Sequence, residues 1–145
     1  MVTYVVDSNC FIHMGGMAST TILNDLKSAL KTMHVTKGVH GEIQNVRYQR
    51  WKQKPNLLNH IKPLLTTHEV SDDQIRGLGA KIGERASPQD VDLSLMVLAH
   101  DLQRDGHLVV LVTDDFKMAK ATEEHQLASE VCPPSTFFER LSTKA

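Results

Sequence analysis

Short runs of β-branched and aliphatic residues alternate along this chain with longer segments that carry apolar residues at helical spacing. Residues 3–6, 33–36 and 107–113 have the composition of strands that are buried on both faces, as in parallel sheets. Residues 20–31 and 88–104 instead place apolar side chains about every 3.6 positions, as amphipathic helices do. Strands that alternate with helices predict an α/β fold with a mostly parallel sheet.

Several element boundaries can be predicted from capping and turn residues. Ser71 and Gln74 form a capping box, which predicts that a helix begins there, after a possible strand at residues 68–70. Gly106 should end the helix that precedes it, and Ser135 should cap a final short helix.

Composition narrows the class of protein. The 145 residues suit one domain, and 41% hydrophobic with 23% charged residues is the balance of an ordinary globular chain. A formal net charge of −1 identifies no partner by itself. The two cysteines are too few for a disulfide scaffold and lack zinc-ribbon spacing. We expect a single domain over residues 1–145. We also expect a cytoplasmic protein, because no apolar run reaches membrane-spanning length and no basic region precedes the first apolar stretch.

Acidic residues follow or adjoin the predicted strands. Asp7 comes directly after the first strand, Asp114 and Asp115 directly after residues 107–113, and Glu42 and Asp92 in early helical turns. Because functional sites in such folds collect at the carboxyl ends of the strands, these acids could meet at one sheet edge. Clustered carboxylates need a neutralising cation, and oxygen ligands suit Mg²⁺ or Mn²⁺. Such ions activate water for phosphodiester hydrolysis.

Each acid also has a structural interpretation. Acids near helix N-termini stabilise the helix dipole and the unpaired N–H groups without any catalysis, and Asp90 fits that role. Asp92 is different, because it shares a helix face with Leu95, Met96 and Ala99, and an acid on an apolar face needs a partner.

Four short segments set these acids in recurring surroundings. They are VVDSNCFI at residues 5–12, VTKGVHGEI at 35–43, DLSLMVLA at 92–99 and LVTDD at 111–115. In order and spacing they resemble the four motifs of the PIN-domain (PilT N-terminus-like) ribonuclease family, over almost the whole chain. The resemblance implies a three-layer α/β/α fold around a central, mostly parallel sheet of four or five strands.

The same resemblance implies an Mg²⁺- or Mn²⁺-dependent endoribonuclease with four metal-site acids, namely Asp7, Glu42, Asp92 and Asp115. Asp114 stands where members often carry Asn or another residue, and it is a possible further ligand. Ser8 and Thr113 would support the site through hydroxyl contacts. Two branches of the family compete. VapC-like toxins would imply an antitoxin partner, and the ribosome-assembly branch would imply a ribosomal precursor particle. That second branch usually carries a zinc ribbon, which is not found in this sequence. Homodimers are common in the family.

A basic segment lies between the second and third predicted strands. Residues 43–68 contain no acid, whereas they hold five Lys and Arg residues with Tyr48 and Trp51 among them. Cations can hold the phosphate backbone while rings stack on unpaired bases. The predicted RNA contacts are Arg47, Arg50, Trp51, Lys52 and Lys54. A partner or oligomer surface, or a plain solvated helix face, would also fit this composition.

These observations favour a metal-dependent endoribonuclease acting in rRNA or tRNA processing or as a toxin. The alternative is a non-catalytic RNA- or protein-binding module on the same fold. A phospho-acceptor domain and an Asp-x-Asp phosphatase fit less well, because Asp7 is followed by Ser8 and Asn9 rather than by a paired acid.

Overall fold

The computed structural model describes residues 2–7, 10, 33–39, 65–82 and 90–142. In chain order, its elements are β1 (Val2–Val6), β2 (Met33–Thr36), β3 (Thr66–His68), α1 (Asp72–Ile82), α2 (Asp90–Arg104), β4 (Leu108–Val112), α3 (Phe116–Glu124), β5 (Glu130–Cys132) and α4 (Pro134–Ser142). Residues 37–39 are also helical. The helix predicted at residues 20–31 lies outside the described residues.

The five strands form one sheet in the order β3-β2-β1-β4-β5, and every neighbouring pair is parallel. β1 lies at the centre, where Tyr4 is opposite Met33 of β2 and Val6 is opposite Val112 of β4. The predicted α/β fold with a parallel sheet is therefore confirmed, with five strands in the described ranges. All five carboxyl ends lie at the same edge of the sheet, since parallel strands run in one direction.

Helices cover both faces of this sheet. On one face, Ser94 of α2 contacts Thr36 at the end of β2 through their hydroxyl groups. On the other face, the ring of Phe137 in α4 packs edge-on against the ring of Tyr4, with centroids 5.0 Å apart. The architecture has three layers, helix on sheet on helix. Among the described residues, no helix has the length and apolar character needed to cross a membrane.

The core lies on both sides of β1 and β4. Val5, Val6, Leu111 and Val112 are completely buried. The stretch 93–99 of α2 is buried throughout, so this helix packs on several sides rather than along one apolar stripe. Burial of each such aliphatic side chain stabilises the fold by about 1.5–3 kcal/mol relative to exposure.

Two predicted boundaries differ from the structure by two residues. β3 covers Thr66–His68 instead of residues 68–70, because its partner β2 ends at Thr36, opposite His68. α4 begins at Pro134, so Ser135 lies inside the first turn and is not its cap. Proline suits the first helical position, because its fixed φ is already helical and its missing N–H costs no hydrogen bond there.

Candidate active site at the carboxyl edge of the sheet

Asp7 is a buried acid at the carboxyl end of the central strand, with only 3% of its surface exposed. Its backbone N–H donates to the carbonyl of Val112 at 3.0 Å, which extends the β1–β4 pairing by one residue. Its own carbonyl accepts the N–H of Cys10 at 3.1 Å, and its Oδ2 accepts the hydroxyl of Thr113 at 2.9 Å. The backbone and the side chain of Asp7 are therefore both held at this edge.

Thr113 connects Asp7 to the loop that follows β4. Its hydroxyl donates its proton to the Asp7 carboxylate, and its oxygen accepts the N–H of Asp115 at 3.0 Å. The backbone N–H of Thr113 donates to the carbonyl of Cys132 at 3.0 Å, which ties the same loop to β5. One buried side chain thus joins the acid-bearing ends of two neighbouring strands.

Asp115 is the N-cap of α3. Its Oδ1 accepts the N–H of Met118 at 3.1 Å, and its backbone is extended, with φ −78° and ψ 111°. The carboxylate therefore has the structural role that acids at helix N-termini commonly have. The cap uses one of its two oxygens, and the side chain is half-buried beside the Thr113 loop. Asp114, directly before it, is exposed.

A chain of hydroxyl groups links the end of β2 to the start of α2. Ser94 Oγ donates to the carbonyl of Val91 at 2.6 Å, so it must accept the proton of Thr36, whose Oγ1 lies 2.9 Å away. Thr36 Oγ1 in turn lies 3.4 Å from the N–H of Val39, the third residue of the helical stretch 37–39. These hydrogen bonds hold the N-terminal part of α2 close to residues 37–39, the helical stretch that follows β2.

This linkage brings the first turn of α2, and with it Asp92, to the edge that carries Asp7. Val5 lies opposite His34, so two residues further along the chain Asp7 is beside Thr36 in the same register. Asp92 is two residues before Ser94, the contact of Thr36, and is half-buried. The structure thus brings Asp7, Thr113 and Asp115 together in one bonded cluster and places Asp92 at the same sheet edge.

Several of the predicted site residues lie outside the described ranges. They are Glu42, Ser8 and the basic-segment residues Arg47, Arg50, Trp51, Lys52 and Lys54. Within the described ranges, no three side chains of His, Cys, Asp or Glu form a group that could hold a metal ion. Glu42, which the resemblance assigns to the site, is not among the residues that this finding covers.

The cysteines near this edge are neutral and buried. Burial raises the pKa of the Cys10 thiol well above its ordinary value, and the negative charges of Asp7 and Asp114 raise it further. Burial also raises the pKa of Cys132. Neither thiol is bonded in a disulfide. At this edge the cysteines act as small apolar side chains, and the donor atoms that remain are the oxygens that Mg²⁺ and Mn²⁺ prefer.

Two further features of this edge did not emerge from the sequence. A pocket of about 170 Å³ opens between the ends of β2 and β3 and the two helices α1 and α2. Its lining combines polar and apolar side chains, among them Thr36, Lys37, Glu69, Val70, Val91 and Ser94. The second feature is Phe116, which is 80% exposed although it follows Asp115 directly. Only its place after the Asp114-Asp115 pair could have drawn attention to it.

Comparison with known families and proteins does not identify the chain: no family model matches it, and no curated protein matches it.

Proposed function

We propose that this protein is a metal-dependent endoribonuclease that hydrolyses RNA phosphodiester bonds with an activated water. The observation that carries the proposal is the hydrogen bond from Thr113 Oγ1 to Asp7 Oδ2, 2.9 Å long. It joins the first and last of the four acid-bearing motifs through a buried carboxylate. Functional sites of open parallel sheets collect at this edge.

The residues that would hold Mg²⁺ or Mn²⁺ are Asp7, Glu42, Asp92 and Asp115, with Asp114 as a possible further ligand. When bound, the ion supplies positive charge for the phosphodiester oxygens and lowers the pKa of a water molecule. Thr113 fixes the orientation of the Asp7 carboxylate, and Ser8 is the second supporting hydroxyl. Asp115 is fixed by its bond to the first turn of α3, so its free oxygen has a defined position.

RNA is the substrate that the proposal assigns, because the sequence adds a basic segment to the acids. Arg47, Arg50, Lys52 and Lys54 would hold the phosphate backbone, and Trp51 would stack on an unpaired base. The biological role would be rRNA or tRNA processing on a ribosomal precursor, or that of a VapC-type toxin with an antitoxin. A homodimer acting in the cytoplasm is the expected form.

The decisive experiment is the substitution Asp7→Asn. The amide keeps the shape of the side chain and an oxygen that can accept the Thr113 hydroxyl, but it removes the charge that would hold the ion. We expect RNA cleavage with Mg²⁺ or Mn²⁺ to fall about 100-fold or more, since even residues behind metal ligands affect activity by 10- to 100-fold. Circular dichroism should show an unchanged fold.

Asp105→Asn is the matched control. Asp105 is an exposed acid before β4, at the opposite edge of the sheet, so its loss should leave cleavage unchanged. Cleavage by Asp7→Asn at the wild-type rate would refute the assignment. If wild-type protein bound RNA but never cut it with either ion, the alternative, a non-catalytic binding module, would replace the nuclease.

A further inference from the structure

Phe116 is an exposed aromatic residue in an unusual place. It is the first residue of α3, directly after the capping residue Asp115, and 80% of its surface is exposed. In the part of the chain that the structure describes, the other large exposed hydrophobic residue is Leu108, at 53%. Leu108 begins β4 and so lies at the opposite edge of the sheet. Phe116, the more exposed of the two, is therefore the one that lies beside the candidate site.

Two lysines accompany the ring. Lys117 is the next residue, and Lys120 lies four residues on, hence on the same side of the helix as Phe116. Both are exposed. Lys120 Nζ lies 4.0 Å from Glu124 Oε1, but both side chains are more than half exposed, so this ion pair holds the ammonium group only weakly. We call Phe116, Lys117 and Lys120 the Phe116 platform.

The chemistry of this platform matches one kind of ligand. Proteins that bind single-stranded nucleic acid combine aromatic rings, on which bases stack, with cations that hold the neighbouring phosphates. An apolar protein surface laid over Phe116 would have to desolvate two ammonium groups, which is unfavourable without acidic partners. A base flanked by phosphates satisfies the ring and both lysines together.

We propose that the Phe116 platform binds the RNA strand beside the cleaved bond, with Phe116 stacked on an unpaired base and Lys117 and Lys120 holding the adjacent phosphates. The inference rests on the proposed nuclease function, and it specifies the substrate as single-stranded or looped RNA. A base inside a duplex is stacked on its neighbours and has no free face for the ring.

The test is the affinity of the 145-residue chain for a short, unstructured, fluorescently labelled oligoribonucleotide. Fluorescence anisotropy would be measured with Ca²⁺ in place of Mg²⁺, so that binding is separated from cleavage. Phe116→Ala should weaken binding about tenfold, within the range known for loss of one base stack. Phe116→Tyr should restore it, because the ring is kept. Leu108→Ala, the matched control, should bind as wild type.

A second oligoribonucleotide series separates stacking from a general loss of surface. Replacing single nucleotides by abasic ones should reveal one position at which the wild-type protein binds about tenfold less tightly. At that position Phe116→Ala should cause no further loss, since the ring has no base left to stack on. Equal effects of Phe116→Ala on intact and abasic RNA at every position would overturn the proposal.

Two other results would also overturn it. One is an RNA affinity of Phe116→Ala equal to that of the wild type. The other is that Phe116→Ala differs from the wild type only in how its sedimentation depends on protein concentration, which would make Phe116 a contact between copies of the chain. Cleavage with Mg²⁺ is measured in parallel. If Asp7→Asn loses cleavage while Phe116→Ala keeps the wild-type RNA affinity, the proposed role of the Phe116 platform is refuted and the nuclease assignment is supported. If Phe116→Ala weakens RNA binding but the wild-type protein cuts no RNA, the Phe116 platform is supported as an RNA-binding surface and the nuclease assignment is refuted.

Discussion

The hydroxyl group of Thr113 organises the acids at the ends of β1 and β4. It donates to Asp7 and accepts from the N–H of Asp115, so it fixes two functional candidates with one side chain. A valine would have the same shape and could do neither, and it would leave a buried carboxylate oxygen without that donor. The cluster therefore depends on the hydroxyl as much as on the acids.

A second residue pair shares a proton at some distance from these acids. His34 Nδ1 and His68 Nε2, on neighbouring strands, lie 2.7 Å apart, and their rings stack with centroids 5.0 Å apart. One nitrogen must donate and the other accept, so at least one ring is neutral while the bond exists. Burial lowers the pKa of both histidines, and His68 and then His107 lower the pKa of His34 further.

These pKa shifts predict a loss of stability in mild acid. Because the folded pKa of each histidine lies below its unfolded value of 6.5, the unfolded chain binds protons first as the pH falls. The contribution of these two histidines to the free energy of unfolding should therefore be constant above about pH 7 and fall as the pH drops below 6.5. Urea unfolding at a series of pH values between 7.5 and 5 would measure this.

His68→Gln tests whether the histidine pair causes this loss of stability in acid. Its free energy of unfolding should depend less on pH over the same interval, since one titrating ring is gone and the other loses its cationic neighbour. His125→Gln is the control, because His125 is exposed and ends α3 away from this pair. An identical pH profile for wild type and His68→Gln would show that other groups cause the loss.

At the scale of elements, two helices end in the same way with different residues. After α2, Gly106 has φ +99°, and the N–H groups of Gly106 and His107 donate to the carbonyls of Gln103 and Leu102. After α3, Gln126 has φ +54°, with the matching pair of backbone hydrogen bonds in the same positions. Both ends are Schellman motifs, in which glycine is favoured because a side chain is strained at positive φ.

This comparison predicts stability changes of opposite sign. Gln126→Gly should raise the free energy of unfolding by up to about 1 kcal/mol, because it relieves that strain. Gly106→Gln should lower it by about 1–2 kcal/mol for the same reason. A Cβ at Gly106 would meet no atom within 4 Å, so the loss would come from backbone conformation alone. Chemical denaturation measures both; two changes of the same sign would contradict the argument.

The start of α1 and the end of α2 were predictable from sequence, because a capping box and a C-terminal glycine each depend on residues that are close together in the chain. Ser71 and Gln74 form the predicted capping box, with reciprocal hydrogen bonds of 3.2 Å, and Gly106 ends α2 as expected. The bounds of β3 were not predictable, because they are set by pairing with a strand about thirty residues earlier in the chain. Propensity alone cannot show where a distant partner strand ends.

At the scale of the whole molecule, the sheet order decides which acids can meet. β1 lies between β2 and β4, so the residues that follow these three strands are neighbours although they are far apart in sequence. The parallel direction, and hence a common edge for Asp7 and the Asp114-Asp115 pair, followed from alternation of strands and helices. The hydroxyl link between Thr36 and Ser94 did not, because serine and threonine in an apolar run carry no signal of their partners.

If this edge binds an ion, the ion should stabilise the whole fold, because a ligand that binds only the folded state shifts the unfolding equilibrium. Mg²⁺ or Mn²⁺ at about 100 times its dissociation constant would add about 2.7 kcal/mol. For a chain of this size that corresponds to a rise in Tm of about 5–10 °C in differential scanning calorimetry. Asp7→Asn should lose most of this rise, whereas Asp105→Asn should keep all of it. If the Tm of Asp7→Asn rose as much as that of the wild type, the ion would bind elsewhere. If the Tm of the wild type did not rise with either ion, the metal would be removed from the mechanism.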